Sequence, residues 1–191
     1  MKLVFATHNK NKVREVKALM PSNIELLSLT DIGCFDEIPE TSSTIEGNAL
    51  LKANFVKEHY GFDCFADDTG LEVQELNNEP GVYSARYAGS DNDAHANMNK
   101  LLANLDSKSN RTAHFKTVIA LIQSEETELF TGICKGTITR DKKGTSGFGY
   151  DPIFQPIGFI KTFAEMKLEQ KSEIGHRGKA VRLLINHLTK A

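Results

Sequence analysis

Residues 65–73 read FADDTGLEV, a stretch in which two adjacent acids separate two apolar runs. Phe65 and Ala66 are typical of the end of a buried strand, and a second apolar run begins at Leu71. The letters between them predict a turn at residues 67–70. Neighbouring carboxylates repel each other unless a positive group lies beside them. The stretch therefore predicts a cationic partner where the strand leaves the core.

Strand and helix patterns alternate on both sides of this stretch. Two long strand patterns turn near SEET, residues 124–127, and predict an antiparallel hairpin. The pattern predicts strands over 2–7, 24–29, 64–66, 71–76, 114–123 and 128–140, and helices over 11–20, 44–60, 91–105, 162–169 and 176–189. The expected fold is α/β with a mixed sheet. At 191 residues the chain is expected to form a single domain over 1–191.

Composition excludes several classes of protein. The 25 acids outnumber the 23 lysines and arginines, which argues against a dedicated nucleic-acid binder. No run approaches the roughly 20 apolar residues of a membrane span, and the apolar run at the N-terminus is too short for a signal peptide. The cysteines Cys34, Cys64 and Cys134 lie far apart and predict buried, reduced thiols in a cytoplasmic protein.

A first candidate site lies in ATHNKNK, residues 6–12. A strand opens here into a polar turn and then a helix, so free backbone N–H groups are expected beside Lys10 and Lys12. Such a helix start favours phosphate. The glycines of a Walker A loop are absent, and an ordinary strand-to-helix turn is the alternative.

The acids form a second candidate site. Glu40, Glu46, Asp67 and Asp68 could hold Mg²⁺, which takes oxygen ligands and needs only one or two protein carboxylates. For Asp67 the alternative is a cap on backbone N–H groups of the turn. For Asp68 the role of metal ligand is favoured over that of a cap.

Two further segments favour a nucleotide. Phe148 and Tyr150 lie among glycines in GTSGFGYDPIF, residues 144–154, where an aromatic ring could stack on a base; the alternative is a core strand. Lys171, His176 and Arg177 cluster at the start of the last helix, where cations oppose the helix dipole and could serve a ligand; the alternative is exposed surface charge. Together the four segments predict a pocket for a Mg²⁺–nucleotide.

The same segments resemble a known family over nearly the whole chain. FATHNKNK, ADDTGLEV, PGVYSARYAG, GFGYDPIF and KSEIGHRGKA follow one another as in the Ham1-like inosine triphosphate pyrophosphatases. The resemblance implies an elongated, curved mixed β-sheet flanked by helices and a homodimer. It also implies a hydrolase that converts ITP, dITP and XTP to the monophosphate and pyrophosphate with Mg²⁺, removing non-canonical purines from the nucleotide pool.

The resemblance also implies residue roles. Glu40 and Asp68 would serve the metal, and Asp68 would accept the proton of the attacking water. Arg177 can only donate hydrogen bonds, so it would favour a 6-oxo purine over adenine. The implied substrate residues are Thr7, His8, Asn9, Lys10, Asn11 and Lys12 for the triphosphate, Thr69, and Phe148, Gly149, Tyr150, Asp151, Lys171, His176 and Arg177 for the base and sugar.

The chain departs from the family pattern at two positions. His8 stands where the family commonly has glycine, and Gly47 stands where it often has glutamate. The first change predicts a different local turn; the second leaves Glu40 or Glu46 to serve the metal. Alternative functions are a phosphatase that removes the terminal phosphate, a non-catalytic nucleotide-binding module, and a nucleic-acid binder that the near-neutral charge disfavours.

Overall fold

The computed structural model describes residues 1–190. The strands are β1 (Lys2–Phe5), β2 (Glu25–Ser28), β3 (Cys64–Val73), β4 (Pro80–Gly81), β5 (Thr112–Gln123), β6 (Glu126–Ile138) and β7 (Phe154–Pro156). The α-helices are α1 (Lys10–Lys17), α2 (Ile45–Tyr60), α3 (Ala94–Asn104), α4 (Leu168–Ile174) and α5 (His176–Leu188).

These strands form one mixed sheet in the order β2-β1-β3-β5-β6-β7, with β4 paired to β3. The pairs β1–β2 and β1–β3 are parallel. The pairs β3–β4 and β6–β7 are antiparallel. Only two residues join the neighbouring strands β5 and β6, so this is the predicted hairpin. The predicted α/β fold with a mixed sheet is confirmed.

The predicted turn at residues 67–70 is wrong. Strand β3 runs without interruption from Cys64 to Val73, and both Asp67 and Asp68 lie within it and are buried. Aspartate and glycine are depleted in strands, and this local preference suggested the turn. Contacts with other elements, described below, override that preference.

Two further differences from the predicted helices have a local cause in capping. Helix α1 begins at Lys10 because the side chain of Asn9 caps it. The short helix expected over 162–169 is a 3₁₀ helix at Phe163–Glu165, stabilised by a capping box between Thr162 and Glu165. The α-helix α4 follows it, over Leu168–Ile174.

The chain forms two compact units. Unit 1 comprises Met1–Asp68, Thr117–Gly132 and the chain from His176 onward; unit 2 comprises Thr69–Lys116 and Ile133–Gly175. The expected single domain stays a prediction. Each unit has its own apolar core, and the Phe5 and Phe65 rings stack in unit 1 with centroids 4.6 Å apart.

Cys34, Cys64 and Cys134 are buried as thiols and not as disulfides, as predicted. Within residues 1–190, none of the helices combines the length and the apolar character that crossing a membrane requires.

Helix α2 carries several residues of the candidate site, and a capping residue defines each of its ends. The Thr44 hydroxyl oxygen accepts a hydrogen bond from the Gly47 N–H at 3.0 Å. Gly61 ends the helix in the left-handed region, with φ of 73°.

We expect Thr44→Ala to lower the free energy of unfolding by about 1 kcal/mol, because it removes the N-cap acceptor. Ser43→Ala is the matched control; this exposed neighbour should change stability by less than about 0.5 kcal/mol. Urea denaturation of both variants measures the difference. Equal losses would show that the Thr44 hydroxyl does not cap α2.

Candidate active site

In unit 1, Asp67 is the centre of a buried network of charges. Its Oδ1 lies 2.9 Å from Lys12 Nζ, and its Oδ2 accepts from Arg177 Nε at 3.0 Å. Arg177 Nη1 also donates to Glu15 Oε2 at 2.5 Å. Asp67, Arg177 and Glu15 are at most 6% exposed. The network joins β3 to α1 and α5.

The charges in this network reinforce one another. Burial alone would raise the pKa of Asp67, but Lys12, Arg177 and Lys52 outweigh it and hold that pKa well below its ordinary value. Burial opposes the charge of Arg177, yet Asp67 and Glu15 raise its pKa further. Burial lowers the pKa of Lys12, and Asp67 offsets part of this effect. Lys12 and Arg177 therefore favour the charged form of Asp67.

Asp68, the next residue of β3, has a different partner. Lys52 Nζ lies 3.6 Å from Asp68 Oδ1 and also donates to Glu40. The carboxylates of Glu40 and Asp68 thus face one ammonium group. Within residues 1–190, no set of three or more His, Cys, Asp and Glu side chains is arranged to hold a metal ion. The arrangement is a pair of carboxylates that converge on one cation position.

The environment moves the two neighbouring acids in opposite directions. The pKa of Asp68 is raised, mainly because the carboxyl is buried. The cations Lys52 and Lys12 lower this pKa, and the anions Glu40 and Asp67 raise it. Adjacent carboxyls whose pKa values are pushed apart are typical of sites that need one fixed charge and one proton acceptor. Asp67 fits the first description and Asp68 the second.

The loop at residues 7–12 differs from the prediction. Asn9 Oδ1 accepts from the backbone N–H groups of Asn11 and Lys12, and Thr7 Oγ1 accepts from that of Asn9. The expectation that these N–H groups are free for phosphate is therefore wrong. Lys10 is exposed at the start of α1.

In unit 2, Asp151 organises the glycine-rich loop. Its Oδ2 accepts from the Phe148 N–H at 2.8 Å and from Lys171 Nζ at 2.6 Å. A Cβ on Gly147, whose φ is +77°, would lie 2.0 Å from this oxygen. Glycine is therefore required beside Asp151.

The two aromatic residues of this loop have different environments. Phe148 is half-buried, and Lys171 Nζ lies 4.9 Å from its ring centroid. Tyr150 is 4% exposed, packs in the unit 2 core and donates its hydroxyl to the Ser84 carbonyl at 2.8 Å. The prediction that Tyr150 offers a stacking surface is wrong, because its ring belongs to the core.

Three further residues predicted for the site differ in burial and backbone conformation. Thr69 is half-buried in β3, and His176 is buried in the first turn of α5. Gly149 has a positive φ of 61°. Unit 1 brings together Lys12, Glu40, Asp68 and Arg177; unit 2 brings together Phe148, Asp151 and Lys171.

A model of the Ham1 family matches residues 3–187. The chain belongs to the Ham1 family. The dITP/XTP pyrophosphatase of Flavobacterium johnsoniae is 62% identical over 189 residues, which cover 99% of this chain and 98% of that relative.

Solved Ham1 structures share the fold. The Staphylococcus aureus Ham1 protein is 39% identical, with a TM-score of 0.91 and coverage of 100% of this chain and 99% of that one. A HAM1 protein from Coxiella burnetii is 36% identical, with a TM-score of 0.92 and coverage of 100% of both chains. The resemblance drawn from the motifs is confirmed.

The structure accounts for the two departures from the Ham1 pattern. The φ angle of His8 is not positive, so its turn does not require the backbone conformation that favours glycine. The Nε2 atom of His8 lies 3.0 Å from the Asp36 carbonyl oxygen. A Cβ on Gly47 would lie 2.0 Å from Ser42 Oγ. An acid at position 47 would therefore displace the turn that precedes α2.

Three buried polar residues of the candidate site were not predicted from the sequence: Glu15, Asn48 and Lys52. All three are polar residues buried on helices, and Asn48 and Lys52 share the buried face of α2. A polar residue at a helical position that should be apolar was the available signal. Arg177, the partner of Glu15, lies 162 residues away in the chain, and Asp68, the partner of Asn48 and Lys52, lies on a different element, β3.

We expect Asp67→Asn to lower the free energy of unfolding by about 3–5 kcal/mol, because it leaves Lys12 and Arg177 buried beside a neutral amide. Asp68→Asn is the matched comparison and should cost less, because the fold already disfavours the charged form of Asp68. Chemical denaturation at pH 7 measures both.

The pH dependence of the free energy of unfolding tests whether the fold lowers the pKa of Asp67. The pKa of Asp67 is depressed in the fold, so its stabilisation is complete above its unfolded pKa of about 4 and is lost as the pH falls toward the folded value. The gap in stability between wild type and Asp67→Asn should therefore narrow below about pH 4. A constant gap, or equal losses in both variants at pH 7, would contradict the assignment of Asp67 as the paired anion.

Proposed function

We propose that this chain hydrolyses dITP, XTP and ITP to the nucleoside monophosphate and pyrophosphate with Mg²⁺ and so removes non-canonical purines from the nucleotide pool. The Ham1 family and the dITP/XTP pyrophosphatases among its relatives place it with hydrolases of nucleoside triphosphates. The observation that carries the mechanism is the difference in partners: Asp67 pairs directly with Lys12 and Arg177, whereas Asp68 shares Lys52 with Glu40.

The donor set fits a magnesium ion. Glu40 and Asp68 already face one cation, the ammonium of Lys52. Mg²⁺ is commonly held by one or two carboxylates together with waters and substrate phosphate oxygens, so two carboxylates suffice. When bound, Mg²⁺ supplies positive charge that offsets the phosphate oxygens and favours attack by water.

Asp68 is the proposed proton acceptor. Water must attack the α-phosphorus if pyrophosphate is to leave, and that water must lose a proton. A carboxylate is a better general base when its pKa lies closer to the working pH, which is the direction in which burial moves Asp68.

Lys12 is proposed to stabilise negative charge on the triphosphate. Its ammonium is held by Asp67 at 2.9 Å, and its side chain is 13% exposed. A fixed ammonium needs little rearrangement to meet developing charge, which is the basis of electrostatic catalysis. Lys52, next to Glu40 and Asp68, is proposed to act on the same charge.

The other predicted substrate contacts are also proposed, except that the buried ring of Tyr150 is left out. In unit 2, Phe148 is proposed to stack on the base, because its half-buried ring lies in the glycine-rich loop. The predicted contact of Arg177 with a 6-oxo group stays a prediction, and this guanidinium already serves Glu15 and Asp67. The other proposed substrate residues are Thr7, His8, Asn9, Lys10, Asn11, Thr69, Gly149, Asp151, Lys171 and His176, with the backbone of Tyr150.

Location and assembly are proposed on more general grounds. The three buried cysteines, present as thiols, support a cytoplasmic protein. A homodimer is proposed from the family resemblance. The near-neutral net charge of −2 supports a small-molecule substrate over nucleic acid.

The test is turnover of dITP, XTP, ITP, GTP and ATP with Mg²⁺, measuring pyrophosphate and orthophosphate separately. We expect pyrophosphate from the first three and little from GTP or ATP. Orthophosphate as the product would instead indicate a phosphatase that removes the terminal phosphate. Equal rates on all five nucleotides would refute the role in clearing non-canonical purines.

The same assay tests the role of Asp68. Asp68→Asn should lower kcat by about 10²–10⁴-fold, the usual contribution of a general base, while a non-hydrolysable ITP analogue still binds in the absence of Mg²⁺. Asp63→Asn is the matched control, because Asp63 precedes β3 and pairs with Lys57 outside the site. Turnover of Asp68→Asn near that of Asp63→Asn would exclude Asp68 as the base.

A further inference from the structure

Asn48 is a fully buried polar residue in α2 with a partner at each end of its amide. Its Oδ1 accepts from the backbone N–H of Ser42 at 2.9 Å, and its Nδ2 lies 3.4 Å from Asp68 Oδ2. A backbone N–H can only donate, so the orientation of the amide is fixed. The Nδ2 group must then be the end that donates to Asp68.

These two bonds connect the segments that carry the two carboxylates. Ser42 lies two residues after Glu40, and Asp68 is the other carboxylate that faces Lys52. A single side chain thus links the turn that carries Glu40 to the strand that carries Asp68.

Asparagine is a poor residue for a helix interior, and at 0% exposure both ends of its amide need partners.

The turn that contains Ser42 is closely packed on α2. Ser42 Oγ accepts from the Thr44 N–H at 3.2 Å, and the absence of a Cβ on Gly47 leaves room for that oxygen. The position of the turn is therefore set by α2 itself, through Gly47 and Asn48.

We propose that Asn48 is a positioning residue that sets the separation and orientation of Glu40 and Asp68 toward a divalent cation. The proposal rests on the proposed function. Groups that hold metal-binding carboxylates in place commonly change metal affinity by about 10–100-fold when they are removed. A purely structural role would instead weaken the protein and all nucleotide binding alike.

The test is the effect of Mg²⁺ on binding of α,β-methylene-ITP, which cannot be cleaved between the α- and β-phosphates. The dissociation constant is measured by calorimetry with and without Mg²⁺, and the ratio reports how strongly the metal supports binding. Asn48→Leu, similar in shape but unable to make either hydrogen bond, should reduce this ratio at least about tenfold. Its metal-free dissociation constant should stay within about threefold of wild type.

Two further variants keep the test decisive. Asn54→Leu, an exposed asparagine of the same helix, should leave the ratio unchanged. Asn48→Ala, which only removes atoms, should lower the ratio as Asn48→Leu does. Thermal melting identifies any variant that is not folded at the temperature of the measurement.

A double-mutant cycle with Glu40→Gln separates positioning from general damage. If Asn48 acts through Glu40 and Asp68, the double variant should be little worse than the more severe single variant. Additive losses, an unchanged ratio in Asn48→Leu, or equal weakening of metal-free binding would overturn the proposal. A wild type whose binding does not respond to Mg²⁺ would instead contradict the proposed function.

Discussion

The ion pairs of Asp67 with Lys12 and Arg177 are the constraint on which the rest of unit 1 depends. A carboxylate with no exposed surface is strongly destabilising unless it is fully paired, and here β3, α1 and α5 each contribute a charged group. Arg177 needs a second carboxylate and obtains it from Glu15. Four charges therefore require three elements to meet in one arrangement.

That arrangement determines what the neighbouring carboxyl can do. Because Asp67 engages Lys12 and Arg177 directly, Asp68 is left with Lys52, which it shares with Glu40. Burial then raises the pKa of Asp68 while that of Asp67 falls. One strand thus places two aspartates with opposite pKa shifts side by side, without any difference in residue type. The chemistry comes from the partners that other elements supply.

The sequence predicted the family, the mixed α/β sheet and most of the helices, because ordered motifs and hydrophobic periodicity are local signals. It did not predict that β3 continues through Asp67–Gly70, since the cations that make this possible lie 55 and 110 residues away from Asp67. Lys52 and Asn48 were not predicted because their common partner Asp68 lies on β3 and not on their own helix. Tyr150 was misjudged because its glycine-rich surroundings suggested an exposed loop, whereas its ring packs in the unit 2 core.

The most direct test of this account is a ¹³C NMR titration of the two carboxyls. Aspartate labelled at Cγ, with Asp67→Asn and Asp68→Asn used for assignment, reports each pKa in the folded protein. We expect Asp68 to titrate above the ordinary value of 3.8 and Asp67 to remain ionised well below it. Two carboxyls that titrate together near the ordinary value, or in the reverse order, would contradict the division of roles between Asp67 and Asp68.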